Sequence, residues 1–173
     1  MILVHDEGQD SRAWRGLPRQ LSAEGFRVLA FDLRGYGASD GSRDARRERV
    51  DVAAALGFAR SRGARRLCVI GAGVGAGAAL VAASTYPIRA FVALSPRRNG
   101  RDNPEQTRAP KLIFVGSLDD RAAAEADDVF RRSIGFATLN STPVDVQGTE
   151  LLRSSWGSDV RELIVIFLRD YLS

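Results

Sequence analysis

Short apolar, β-branched runs alternate along this chain with longer segments of helical periodicity. This pattern is typical of parallel strands joined by helical crossovers. The predicted strands span residues 2–5, 28–32, 67–70, 90–94, 112–115 and 138–146, and the predicted helices span residues 11–24, 45–61, 74–85, 121–134 and 160–171. Five crossovers in one direction build an α/β fold, with an open, doubly wound, mostly parallel sheet of about six strands and helices on both faces.

The length and composition of the chain predict a single domain over residues 1–173. A content of 45% hydrophobic residues is sufficient for a packed core at this length. The least regular stretch, residues 96–110, is polar, and we interpret it as a long loop rather than a domain boundary.

The charge pattern argues against a nucleic-acid partner. The formal charge of +4 arises from 25 basic and 21 acidic residues, and Lys111 is the one lysine among them. The arginine runs are interleaved with acids and lack a series of stacking aromatic residues, so they indicate a solvated face. No apolar stretch reaches the roughly 18 residues of a membrane span, and the first strand follows Met1 without a signal peptide. We therefore expect a cytoplasmic protein, in which the single Cys68 fills core space.

A glycine-rich turn, VIGAGVGAG at residues 69–77, follows the third predicted strand. It matches G-x-G-x-x-A between a strand and a helix, a pattern that binds pyrophosphate at a helix N-terminus. A dinucleotide site also needs an acid at the end of the next strand, where this chain has Ser95 and Pro96. The glycine pattern keeps nucleotide binding through residues 71–77 as an alternative, and the missing acid makes it the weaker interpretation.

Five segments, spread over nearly the whole chain, resemble the rim motifs of the α/β-hydrolase family: ILVHDEGQDSRAW, VLAFDLRGYGASDG, LCVIGAGVGAGAALVAA, KLIFVGSLDD and VQGTELL. The second is similar to the family's D-x-R-G-x-G-x-S segment. The third falls where the nucleophile elbow G-x-S-x-G belongs, with Gly71 and Gly75 in its outer positions. The chain looks most like small esterase or dienelactone-hydrolase-like members without an inserted lid. It begins at the strand that is usually the third, so one sheet edge is expected to be shortened, covered by a partner or supplied by another chain; the alternative is that Met1 is not the native start.

Two catalytic positions of the family hold residues that cannot perform the expected chemistry. Gly73 stands where the resemblance places the nucleophilic serine, and it has no side chain to attack a carbonyl. Gln147 stands where the general-base histidine belongs, and an amide accepts no proton near neutral pH. The triad acid is present as Asp119 or Asp120; the alignment leaves both open, and Asp120 is favoured.

The resemblance assigns the oxyanion turn and pocket to His5, Asp6, Glu7 and Val74. Asp6 takes the position of the usual glycine, and its carboxylate and that of Glu7 would oppose a developing negative charge if they faced the crevice. His5, the only histidine, is expected to brace the turn through local hydrogen bonds. A metal site is not expected, because nothing in the spacing of the acids indicates a cluster.

These residues predict a catalytically inactive α/β-hydrolase-fold protein, a pseudo-hydrolase with a degenerate triad, which has a binding, scaffolding or assembly role and no cofactor. The alternative is an active hydrolase or esterase with a rearranged catalytic set, in which His5 and a rim acid activate water. Ser95, Ser117 and Thr149 are expected in capping or turn hydrogen bonds rather than as replacement nucleophiles. A protein partner or a second copy could bind at the shortened sheet edge or the basic surface, and a small molecule could bind in the crevice.

Overall fold

The computed structural model of the protein describes residues 1–44, 46–98 and 107–172, and the sheet within them has six strands. These are β1 (Ile2–Val4), β2 (Leu29–Phe31), β3 (Cys68–Ala72), β4 (Ala90–Leu94), β5 (Lys111–Gly116) and β6 (Ala137–Thr142). Their order is β2-β1-β3-β4-β5-β6, and every pairing is parallel. The predicted open parallel sheet is confirmed.

Helices connect the strands and cover both faces of the sheet. They are α1 (Leu17–Ala23), α2 (Glu48–Ser61), α3 (Gly73–Thr85), α4 (Asp120–Arg132) and α5 (Gly157–Leu172). On one face, α2, α3 and α4 contribute Val52, Ala79 and Ala126 to a continuous apolar cluster. On the other face, α1 and α5 contribute Leu21 and Ile164 to a second cluster. Burial on both sides explains why the inner strands are apolar without alternation.

The direction of strand addition reverses after β2. The chain places β2 on one side of β1, returns across β1 to place β3 on its other side, and then adds β4, β5 and β6 outward from β3. In open α/β sheets, ligand sites lie outside the carboxyl ends of the strands at such a switch point. The turns that follow β1 and β3 therefore meet at the expected position of the crevice.

Two predicted elements differ from the structure in extent. The predicted helix over residues 11–24 is split into a 3₁₀ turn at Ser11–Trp14 and helix α1, because Arg15 has a φ of 46° between them. The predicted strand over residues 138–146 ends at Thr142, where a tight turn around Pro143 follows and the Val144 amide donates back to the Thr142 carbonyl at 2.8 Å.

Two further predictions reach outside the described residues. Position 45, the predicted start of the second long helix, lies there, and so do residues 99–106 of the predicted loop. Among the helices that the structure describes, none has the length and apolar character needed to span a membrane.

Candidate functional site

Strand β3 turns directly into α3 at Gly73, and three glycines make this elbow possible. Gly73 has a φ of +52°, a left-handed conformation that favours glycine. A Cβ on Gly71 would lie 2.5 Å from the Cα of Ala76, and a Cβ on Gly75 would overlap the carbonyl oxygen of His5. Gly71 and Gly75 are therefore required by the close approach of the backbone, as in a strand–elbow–helix turn that presents its central residue.

The side chain of Asp6, which follows β1, occupies the space next to Gly73. A Cβ built on Gly73 would overlap the Asp6 carboxylate. Asp6 Oδ1 accepts hydrogen bonds from the Val74 amide at 2.9 Å and from the Glu7 amide at 2.7 Å. The carboxylate thus lies at the N-terminus of α3, where amides and the helix dipole stabilise negative charge. While Asp6 keeps this position, a side chain at residue 73 has no room.

The ring of His5 is buried, and both of its nitrogens have partners. Nε2 accepts a hydrogen bond from the Leu33 amide at 3.0 Å, and Nδ1 lies 2.8 Å from the carbonyl oxygen of Asp6. Because the amide of Leu33 can only donate, the proton of the neutral ring is on Nδ1, which donates to Asp6. The ring also makes an edge contact with Tyr36, with centroids 5.3 Å apart. His5 therefore ties β1 to the turn after β2 and has no free nitrogen for a water molecule.

Glu7 does not share the position of Asp6. Its side chain is 59% exposed, and its Oε2 lies 3.6 Å from Nη2 of Arg97. The Arg97 amide donates to the Gly73 carbonyl at 3.0 Å, which ties the loop after β4 to the elbow. Of the two acids that follow β1, Asp6 is the one that contacts the elbow.

Gln147 lies beside Asp119. Its Nε2 donates a hydrogen bond to Asp119 Oδ2, while Asp119 Oδ1 accepts the amide of Ala122 at 2.9 Å and so caps α4. Asp120, which the alignment favoured, is an exposed residue that begins α4. The geometry therefore favours Asp119 as the acid next to position 147, and the preference for Asp120 is not supported.

The segment that carries Gln147 also contacts the elbow. A Cβ on the next residue, Gly148, would lie 3.2 Å from Asp6 Oδ2 and 3.6 Å from the Cβ of Ala72. Gly148 has a φ of +53°, so glycine is favoured there on conformational grounds as well. The structure thus brings the turns after β1, β3 and β6 together around one carboxylate.

The three rim hydroxyls differ in their bonding. Ser117 Oγ donates to the Thr142 carbonyl at 3.1 Å, and Thr149 Oγ1 donates to Gln9 Oε1 at 3.1 Å. Ser95 is buried with a φ of 46°, and its hydroxyl has no hydrogen-bond partner among the residues that the structure describes. The expectation of turn bonding is therefore not met at Ser95, which combines a left-handed backbone with a buried hydroxyl.

Sequence reasoning missed Glu48, an acid in the first turn of α2. Its side chain is 2% exposed, and Oε2 lacks a hydrogen-bond partner within the described parts of the chain. Burial raises the pKa of Glu48 to about 7, and the nearby charges of Glu7, Asp51 and Asp6 add to the effect. A glutamate in a first helical turn usually lies in solvent, so the sequence offers no signal of this burial.

Within the described ranges, no group of three or more His, Cys, Asp or Glu side chains is arranged to hold a metal ion. His5 uses both nitrogens in protein contacts, and the Asp6 carboxylate is bonded to two amides.

A parallel sheet with a glycine elbow at its switch point defines the chain as an α/β-hydrolase-fold protein. A model of the alpha/beta hydrolase family matches residues 1–168. The chain belongs to that family.

Comparison with known proteins gives distant relatives. Protein ABHD14A of Danio rerio is 26% identical over 133 residues, covering 73% of this chain and 49% of that protein. The chain spans about half the length of the curated relatives it matches. The Pyrococcus furiosus esterase Pf2001 has a TM-score of 0.83 at 20% identity, with coverage of 99% of this chain and 83% of the esterase. A dienelactone hydrolase from Anabaena variabilis has a TM-score of 0.82 at 21% identity, with coverage of 99% and 86%. At these identities the likeness to solved structures shows the fold.

Proposed function

We propose that this protein is a catalytically inactive member of its family, a pseudo-hydrolase that serves in binding, scaffolding or assembly. The observation that carries the proposal is the Asp6 carboxylate, which lies where a side chain at position 73 would project. The same carboxylate bonds the Val74 amide, the donor that would stabilise a substrate oxyanion in an active elbow. Asp6 therefore excludes both a nucleophile and an oxyanion.

The pair at positions 119 and 147 supports this proposal. A catalytic acid orients a histidine so that the histidine can take a proton from the nucleophile. Here Asp119 is bonded to an amide, and Gln147 has no basic nitrogen. Asp119 instead caps α4, which gives it a structural role without catalysis.

The two alternatives have less support from the geometry. A rearranged hydrolase would use His5 as its base, but both ring nitrogens of His5 are engaged. A nucleotide site would use the amides at the start of α3, but Asp6 places a negative charge on the Val74 amide. A thermal shift assay with NAD or ATP at millimolar concentration tests the nucleotide alternative. An unchanged Tm would rule it out.

A reconstruction experiment tests the proposed origin of inactivity. The double variant Gly73→Ser, Gln147→His supplies the nucleophile and base but keeps Asp6, so we expect it to remain inactive. Adding Asp6→Gly frees the space and the Val74 amide, and we expect this triple variant to hydrolyse p-nitrophenyl acetate. In a well-studied serine protease, removing the nucleophile or the base lowers turnover roughly a millionfold, so the restored activity should be readily measured.

The controls are the single variant Asp6→Gly and the unmodified protein, each checked for folding by circular dichroism. Neither should hydrolyse the ester or react with a fluorophosphonate probe. Labelling of any serine in the unmodified protein would show an active hydrolase and refute the proposal. A folded but inactive triple variant would count against the assignment of positions 73 and 147.

We also propose that the protein is cytoplasmic. Cell fractionation of a tagged chain would check this location.

A further inference from the structure

A small cleft lies between two 3₁₀ turns and the starts of the helices that follow them. The turns are Ser11–Trp14, after β1, and Gly148–Arg153, before α5. The cleft has a volume of about 250 Å³, which is the liquid volume of about eight water molecules. Its wall includes neither Asp6 nor Gly73, so the cleft is separate from the crevice at the switch point.

The wall of this cleft carries positive charge. Arg15, Arg153 and Arg161 line it, and none of the described residues in the wall is acidic. Arg153 Nη1 donates to Glu150 Oε1 at 2.8 Å, and Arg161 Nη1 donates to the Leu152 carbonyl. Because a guanidinium has five N–H groups, each arginine retains donors for a ligand. This planar group binds a carboxylate through two parallel hydrogen bonds.

Apolar side chains form the inner part of the cleft. Trp14, Leu17 and Leu152 line it, and all three are buried. They belong to the apolar cluster that packs between the sheet and helices α1 and α5. The cleft therefore offers an apolar surface to the body of a ligand and guanidinium groups to an anionic end.

Arg15 is held at this cleft in an unfavourable backbone conformation. Its φ of 46° and ψ of −116° are rarely adopted by a residue with a side chain. Glycine would adopt them without strain, yet the chain has its glycine one position later, at Gly16. Backbone strain of this kind is common at ligand sites, where the position of a side chain matters more than its cost to folding.

We propose that this cleft binds a small organic carboxylate, whose charged end is held by the arginines and whose apolar body packs against Trp14 and Leu152. The volume limits the body to a single ring or a short chain. An inorganic oxyanion would leave the apolar inner surface uncovered, and a neutral molecule would leave the guanidinium groups without an acceptor. Because the cleft is separate from the elbow, the proposal does not depend on the loss of catalysis.

The indole signal of Trp14 in a ¹H–¹⁵N NMR spectrum reports on the cleft. The chain has two tryptophans, so Trp156→Phe assigns the two indole signals. Titration with benzoate at physiological salt should shift the Trp14 signal and saturate with a Kd of about 1 mM, an affinity typical of so small a ligand. Benzamide has the ring without the charge, and inorganic phosphate has charge without the ring. Each should bind at least about tenfold more weakly than benzoate.

Two substitutions at the rim test the role of the arginines. Arg15→Gly and Arg153→Gln should each weaken benzoate binding about tenfold, with circular dichroism unchanged. Arg15→Gly should do so without lowering the Tm of the ligand-free protein, because glycine adopts this backbone conformation without strain. Arg19→Gln is the matched control, since Arg19 is an exposed arginine of α1 outside the cleft, and it should bind benzoate as the unmodified protein does.

Three results would overturn the proposal. The first is a Trp14 signal that does not approach saturation at about 20 mM benzoate. The second is benzamide or phosphate binding as tightly as benzoate. The third is unchanged benzoate affinity in both Arg15→Gly and Arg153→Gln, which would place the ligand elsewhere.

Discussion

Replacing Glu48 with glutamine is expected to stabilise the protein above neutral pH and to have little effect in mild acid. The buried carboxyl has a pKa of about 7 in the folded protein, against 4.5 for the unperturbed group. The folded state therefore holds this proton more tightly than the unfolded chain does between those two pH values. Linkage requires that the free energy of unfolding falls as pH rises across this interval, and that it levels off above the folded pKa.

The size of the effect follows from the difference between the two pKa values. Each pKa unit corresponds to about 1.4 kcal/mol, so ionising Glu48 costs up to about 3 kcal/mol at pH 8. Glutamine has the shape of the protonated side chain and carries no charge at any pH. Glu48→Gln should thus raise the free energy of unfolding by about 2 to 3 kcal/mol at pH 8 and change it little at pH 5.

Urea unfolding at several pH values between 5 and 8.5, followed by circular dichroism, measures this difference. Glu162→Gln is the matched control, because it removes the same charge at an exposed position of α5. Its stability difference from the unmodified protein should be small and independent of pH. A Glu48→Gln difference that is equal at pH 5 and pH 8, or a loss of stability at pH 8, would refute the reasoning.

Three further substitutions and one labelling experiment test the packing. Gly75→Ala should lower the free energy of unfolding by about 3 kcal/mol in urea titrations, because its Cβ overlaps the His5 carbonyl. The control is Gly57→Ala inside α2, where no heavy atom lies within 4 Å of the new Cβ, and it should raise the free energy of unfolding by about 0.5 to 1 kcal/mol. If Gly75→Ala and Gly57→Ala changed the free energy of unfolding equally, the elbow geometry would be contradicted. Ser95→Gly should raise the free energy of unfolding by about 1 kcal/mol through relief of backbone strain, and a clear loss would contradict that account. Lys111 is fully buried, and its ammonium donates to three carbonyls. We therefore expect acylation of Lys111, followed by peptide mass spectrometry, to be far slower in the native protein than in urea. Rapid labelling of the native protein would contradict the burial of this side chain.

The architecture was accessible from the sequence because it depends on local patterns. Continuous apolar runs predict strands buried on both faces, and all six appear within a few residues of their predicted positions. The elbow was accessible for the same reason, since glycines at 71 and 75 are needed by backbone contacts close in the chain or in the adjacent strand. The predicted ends of helices and strands were wrong where a local turn of the backbone ends the element. Arg15, with its left-handed backbone, and the turn around Pro143, directly after β6, are the two examples.

The side-chain arrangement of the site was less accessible, because it depends on contacts between distant segments. The alignment could not separate Asp119 from Asp120, although the preference of aspartate for helix N-caps would have favoured the residue before α4. The burial of Glu48 depends on how α2 packs near the crevice, which no local pattern specifies. The position of Asp6 required knowing that β1 and β3 are neighbours in the sheet.

Asp6 links the proposed loss of catalysis to the stability of α3. This helix has no side-chain cap of its own, because the residue at its N-cap is Ala72. The Val74 amide receives its acceptor from Asp6, 68 residues earlier in the chain. Such a cap contributes about 1 kcal/mol to stability, and a negative charge at the helix N-terminus adds a few tenths or more. In an active hydrolase the same amide must stay available to the oxyanion, where it lowers the barrier by about 3 kcal/mol. One amide cannot serve both purposes at once, so a carboxylate at position 6 favours a stable elbow over a reactive one.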